Sequence, residues 1–219
     1  MSLDAIVGTA GRHAGLPLQL LISLTILSLI PFVLVMCTSF VRIVVVLSLV
    51  RSAIGASALP PNAVLTGLAL VLTLAVMAPT AQRIAREAVV PYSNGTISAS
   101  RAIDRALGPL QVFMLRQVRG ADVALFERIA RRRPEPERSA PLTVLVPAFV
   151  VGELRNGFAI GFALYLPFVA IDLAVAAMLM GLGMMMLSPP VISLPVKLLL
   201  FVMVDGWALL CGGVAASFR

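Results

Sequence analysis

The chain has 219 residues, of which 60% are hydrophobic and 12% charged, against roughly 45–50% and 25% in an average water-soluble domain. Its mean hydropathy of +1.03 agrees, and an ordinary soluble fold is excluded. Of its formal charge of +7, +5 lies between positions 83 and 141, where eleven Arg mix with six acids, one Tyr and two Phe; such a mixed insert offers no aromatic platform for bases, so nucleic acid is not an expected partner.

The N-terminus reads Met-Ser-Leu-Asp, without a basic start. The apolar run after Arg12 and His13 is too long for a signal h-region and lacks a small-x-small cleavage pattern, so it is expected to stay on the mature chain. Residues 18–41 carry no charge over 24 positions, which as a helix reaches roughly 36 Å, enough for a bilayer core of about 30 Å. Pro31 is expected to kink or split that helix. Gly55, Pro60 and Pro61 mark a turn, with the next helix starting near Asn62. Residues 1–81 thus read as an N-terminal apolar helical hairpin.

Residues 82–141 read as a polar helical insert. Ser98 is placed to cap a helix through about Leu107, with Gly108 and Pro109 stopping it, and Leu110, Phe113, Met114 and Val118 continue at helical spacing to Gly120. Asp122 is placed to cap the last helix, whose apolar face holds Val123, Phe126, Ile129 and Ala130. Arg131, Arg132 and Arg133 suit the negative end of its dipole, and Pro134 to Glu137 form an extended linker.

Residues 142–219 form a second apolar block, in which residues 173–196 are again uncharged. Pro147, Pro167, Pro189, Pro190 and Pro195 are expected to leave its helices short or bent. Gly157 and Gly161 form a GxxxG pair that permits close helix approach. Met184, Met185 and Met186 sit between Gly183 and the Pro pair. Unbranched thioethers fill irregular gaps in a core, but a ring of them from several subunits makes a deformable apolar constriction.

Convergent catalytic groups are scarce. His13 is the only histidine, which removes His-based zinc sites and Ser-His hydrolysis, and no P-loop lysine is present. No enzyme activity, metal or cofactor is therefore expected. Cys37 and Cys211 lie in apolar stretches and read as small buried hydrophobes. Arg42, Arg51, Glu153, Arg155, Asp172, Lys197 and Asp205 lie within apolar segments, where each costs about 2.5–3.5 kcal/mol if left in lipid at a helix centre. They are expected to face protein or water. Pairing between helices or subunits is one use for them; an ion or proton relay through Glu153, Asp172 and Asp205, as in a small-solute or proton-coupled transporter, is the alternative. A purely scaffolding membrane protein is a third reading.

Five strings decide further: MCTSFVRIVVVLSLVR (36–51), PPNAVLTGLALVLTLAVMAP (60–79), PLQVFMLRQVRGADVALF (109–126), PAFVVGELRNGFAIGFALYLPFVAIDL (147–173) and LGMMMLSPPVISLPVKLLLFVMVDGW (182–207). Together they resemble the FliP/SctR family of type III export-gate proteins over nearly the whole chain after about residue 20. The resemblance implies an all-helical subunit of a helical, conical oligomer at the periplasmic side of the bacterial inner membrane. Its implied partners are further copies of itself, FliQ/SctS and FliR/SctT subunits, the FlhB/SctU and FlhA/SctV gate components, and unfolded secreted proteins.

By position, the resemblance makes Met184, Met185 and Met186 the gasket of an export channel. Glu153, Asp172, Lys197 and Asp205 match recurrent charges within the family's helices. Ala58 and Leu59 stand where relatives often carry two Gln, Pro190 replaces a usual Met, and Val196 a usual Phe. Residues 164–169 and 182–189 look like the injectisome form and residues 97–126 like the flagellar one, while the N-terminus leans to the injectisome. The positive-inside tendency would put the insert in the cytoplasm, whereas the resemblance implies the periplasmic side.

Overall fold

The computed structural model describes residues 21, 24, 25, 28, 31, 32, 35–55, 60–131, 140–184 and 186–218. Every regular element among them is helical, as expected. The kink expected at Pro31 and the linker at 134–137 fall where most or all residues lie outside that set.

Helix α1 (Phe40–Ile54) is rich in Val and Ile, which favour strands by local preference. Burial decides instead: Ile43, Val46, Leu47, Val50 and Ile54 recur at helical spacing and are all buried. Gly55 ends the helix at φ +87°, with its amide donating to the Ser52 carbonyl at 3.2 Å. Arg51 then donates to the Asn62 side chain, closing the expected turn. Helix α2 (Asn62–Ile84) starts where Pro61 predicts.

Past α2 the chain widens into one π-helical turn (Ala85–Val89) before the short α3 (Val90–Ser93). Pro91 explains the widening, because its ring would otherwise press on the carbonyl four residues back, at Glu87. Helix α4 (Ala99–Gln117) runs unbroken through Gly108 and Pro109, correcting the expected stop there. Gly108 has no Cβ to collide with the proline ring, and Pro109 is buried. Ser98 does sit at the N-cap, but its hydroxyl makes no capping bond. Helix α5 (Gly120–Ile129) begins two residues before Asp122, which therefore lies in the first turn rather than at the cap.

Helix α6 (Leu142–Gly181) is continuous over 40 residues, so the breaks expected at Pro147 and Pro167 do not occur. Proline is tolerated inside long apolar helices because the helix around it adjusts locally. At about 1.5 Å per residue α6 reaches about 60 Å, twice a hydrocarbon core. Pro189 and Pro190 open α7 (Pro189–Met203), where a missing amide costs little, and Pro195 lies inside it. Asp205, at φ +50°, turns the chain into α8 (Gly206–Ala216), bent 66° from α7. A Cβ on Gly206 would collide with the Phe201 ring, so the bend requires glycine.

Among the described residues two segments are long and apolar enough to cross a membrane, Asn62–Ser93 and Leu142–Gly181, and the bent pair α7 and α8 makes a third if it is one span.

The described residues form two compact units. One comprises residues 21, 24, 25, 28, 31, 32, 35–38, 77–131 and 140–150; Cys37, Met114, Leu145 and Phe149 form its apolar centre, with Phe113 edge-on to Phe149 at 5.8 Å. A second cluster in it holds Val123, Ala140, Val144 and Ala148. The other unit comprises residues 39–55, 60–76, 151–184 and 186–218, centred on α1 residues packed with Leu65, Ala69, Phe168, Phe201, Leu210 and Val214.

Candidate functional site

Met184 and Met186 sit at the tip of the α6–α7 hairpin. Helix α6 stops at Gly181, and Gly183 at φ +72° reverses the chain so that the Met184 amide donates to the Leu179 carbonyl at 2.9 Å. Met184 is about half exposed and Met186 fully so, while Met185 lies outside the described residues. In this chain alone, therefore, Met184 and Met186 do not fill a core.

Below the tip, α6 and α7 are tied at successive levels. Asp172 accepts from the Ser193 hydroxyl at 2.5 Å on one oxygen and from the Lys197 ammonium at 2.5 Å on the other. One turn further from the tip, the Phe168 and Phe201 rings lie 6.5 Å apart. Lys197 also donates to the Ala53 carbonyl at 3.1 Å, one of the last four carbonyls of α1, which no amide of the helix can reach.

The second buried charge set lies deeper. Arg42 on α1 and Glu153 on α6 are 2% and 0% exposed and meet at 2.5 Å. The same guanidinium donates to the Ser217 carbonyl at 2.8 Å and to its hydroxyl at 3.1 Å, and stacks over the Phe218 ring at 3.9 Å. Arg42 therefore joins α1, α6 and the residues after α8. Charges that would be costly in hydrocarbon are thus neutralised inside the chain itself.

Gly157 and Gly161 explain how α1 comes close enough for that pair. A Cβ on Gly157 would lie 3.2 Å from the Val45 Cβ and 3.3 Å from the Arg42 carbonyl, and one on Gly161 would lie 2.9 Å from the Leu49 Cβ. The GxxxG face of α6 therefore receives this chain's own α1.

The remaining residues singled out from sequence lie apart from these sets. Arg155, two positions beyond Glu153 and so on the opposite side of the helix, is exposed. Asp205 is exposed at the α7–α8 bend. The three acids of a relay do not converge, since Glu153 and Asp172 sit 19 residues apart on α6, about 28 Å along its axis. Cys37 and Cys211 are both free thiols, Cys37 within the apolar centre of its unit.

Sequence reasoning did not single out Ser193, the Ala53 carbonyl, Ser217 or Phe218. For Ser193 a signal existed: it stands four residues before Lys197 on α7, so both side chains share one face.

Comparison with known proteins agrees with this reading of the strings. The family model described as the FliP family matches residues 23–214. The chain is 52% identical over 211 residues to the flagellar biosynthetic protein FliP of Pectobacterium carotovorum, covering 95% of this chain and 81% of that protein. It is 48% identical to that of Caulobacter vibrioides, covering 100% of this chain and 84% of the relative, and 47% identical to that of Bacillus subtilis, covering 91% of each. With a family match over most of its length and three relatives near half identity, the chain belongs to the FliP family.

Proposed function

We propose that this protein is a pore-building subunit of the flagellar type III protein-export gate. Copies of it, with FliQ-like and FliR-like subunits, enclose a conduit through which unfolded substrate proteins cross the bacterial inner membrane. FlhB-like and FlhA-like components adjoin it, and residues 82–141 lie on the periplasmic side. The flagellar names of its relatives favour that branch over the injectisome one.

The observation that carries the proposal is the exposure of Met184 and Met186 at a hairpin tip. Two large thioethers held in the open need a partner surface, and copies of the same tip arranged in a ring supply one. Met184, Met185 and Met186 then form an apolar seal that keeps water and ions out yet yields to a passing chain. Broad apolar exposure along α6, at Phe158, Phe162, Leu166 and Leu173, suits contact with neighbouring subunits or lipid. The pairing of Glu153 with Arg42 and of Asp172 with Lys197 weighs against the transporter alternative, which needs acids free to exchange protons along a path.

Replacing Met184, Met185 and Met186 together by Ala is expected to raise ion leak across the inner membrane in cells carrying the assembled gate, with complex yield unchanged. Leak at the wild-type level in an intact complex would remove the gasket role.

A further inference from the structure

We propose that Lys197 is a positioning residue for the methionine loop, and that it acts by joining three elements at once: it neutralises Asp172 on α6, anchors α7, and caps the C-terminal end of α1 through the Ala53 carbonyl. The proposal rests on the gasket reading and adds what sets the geometry of the tip.

Twelve residues separate Asp172 from the boundary between Met184 and Met185, and twelve separate that boundary from Lys197. The pair therefore marks the base of a symmetric hairpin with Met184 and Met186 at its apex. The Phe168–Phe201 contact continues the same register one turn below, and the Ser193 hydroxyl ties Asp172 one turn nearer the tip. Together these contacts set how far α7 can slide along α6, and a slide at the base displaces the apex equally.

Helix α6 is already held to α1 by the Arg42–Glu153 pair and the Gly157 and Gly161 face, but the ion pair of Asp172 with Lys197 alone would leave α7 without a polar tie to α1. The bond to Ala53 supplies it. A cation is favoured where a helix ends in unsatisfied carbonyls. Lys197 is 5% exposed, so its ammonium is removed from water and depends on these two acceptors. Gly55 completes the arrangement: a Cβ there would lie 4.0 Å from the Lys197 ammonium and 3.7 Å from a Leu194 methyl, and its φ of +87° is one that other residues rarely adopt. Ser193 is the lesser member, because its hydroxyl bonds Asp172 and its own helix, at the Pro190 carbonyl, rather than α1.

The three-way role predicts a pattern that a simple ion pair does not. In cells carrying the full gate, Lys197→Gln is expected to raise ion leak about tenfold, the scale of losing one charge-assisted hydrogen bond. Lys197→Arg, which keeps donors for both acceptors, is expected to remain within about twofold of wild type on the same scale. The exchange Asp172→Lys with Lys197→Asp restores the ion pair but puts a carboxylate beside the Ala53 carbonyl, to which it cannot donate; it is expected to stay as leaky as Lys197→Gln. Ser193→Ala is expected to fall between.

Complex yield, read from the same membranes, must match wild type for a variant to be scored. If Lys197→Gln assembles poorly, alkylation of a cysteine placed at Met186 in the extracted chain is the second readout, and its rate is expected to change about tenfold. Full rescue by the exchange would overturn the capping role. Wild-type leak and an unchanged Met186 alkylation rate in Lys197→Gln would overturn the proposal entirely. If the methionine replacements leave leak unchanged while the alkylation rate responds to Lys197, the gasket reading fails and the positioning of the loop stands.

Discussion

Glu153→Ala is expected to destabilise the protein by about 3–5 kcal/mol, because it breaks a buried ion pair by removing one of its partners. The side chains are 2% and 0% exposed, so water does not replace the lost partner. Hydrogen bonds from Arg42 to Ser217 and the stack on Phe218 remain, but they neutralise no charge. The pair itself is a different quantity. Replacing both members by apolar residues of similar size, Arg42→Met with Glu153→Leu, removes the charge and its desolvation cost together, and is expected to lie within about 1.5 kcal/mol of wild type. Denaturant unfolding of the detergent-extracted chain checks both. A single replacement no worse than the double would show that Arg42 has found another counter-charge or that water enters the site.

Phe149→Ala is expected to cost a similar amount, about 3–5 kcal/mol, by a mechanism without charge. Its ring is fully buried among Met114, Leu145 and Cys37, with Phe113 edge-on at 5.8 Å. Truncation leaves a cavity that these neighbours, already packed against one another, fill only in part, and it removes an edge-to-face contact worth about 0.5–1.5 kcal/mol. Phe149→Leu retains most of the volume and is expected to recover at least half of the loss. Because this residue and Glu153 belong to different compact units, hydrogen exchange should separate them: the amides of α4 lose protection in Phe149→Ala and those of α1 in Glu153→Ala. Loss of protection spread evenly over both units in either variant would contradict this assignment.

What could be read from sequence follows how local each signal is. The end of α1 and the start of α2 were legible because Gly55, Pro60 and Pro61 act within a few residues of themselves. The prolines at 109, 147 and 167 were misleading for a related reason. A proline's cost is local, but whether a helix absorbs it depends on what surrounds it: Gly108 removes a clash and Pro109 is buried, and α6 carries Pro147 and Pro167 without a break. The charges were legible as groups that must be neutralised, since their cost in hydrocarbon does not depend on the fold. Their partners were not, because Arg42 and Glu153 are 111 positions apart and Lys197 and Ala53 are 144 apart. The glycine pair showed that some helix comes close to α6; only the structure identifies it as α1. Met184 and Met186 stood out as a run of like residues, but their exposure, which turns a gap-filler into a contact surface, depends on the bend at Gly183 and is a property of the fold.

The proposed assembly would cover the exposed methionine tip and the apolar flanks of α6, and the mass of the body gently released from the membrane tests it most directly. Native mass spectrometry with identification of each component is expected to find several copies of the 23.1 kDa chain together with the proposed FliQ-like and FliR-like subunits in one particle. A lone, stable 23.1 kDa species under conditions that preserve membrane complexes would contradict the account.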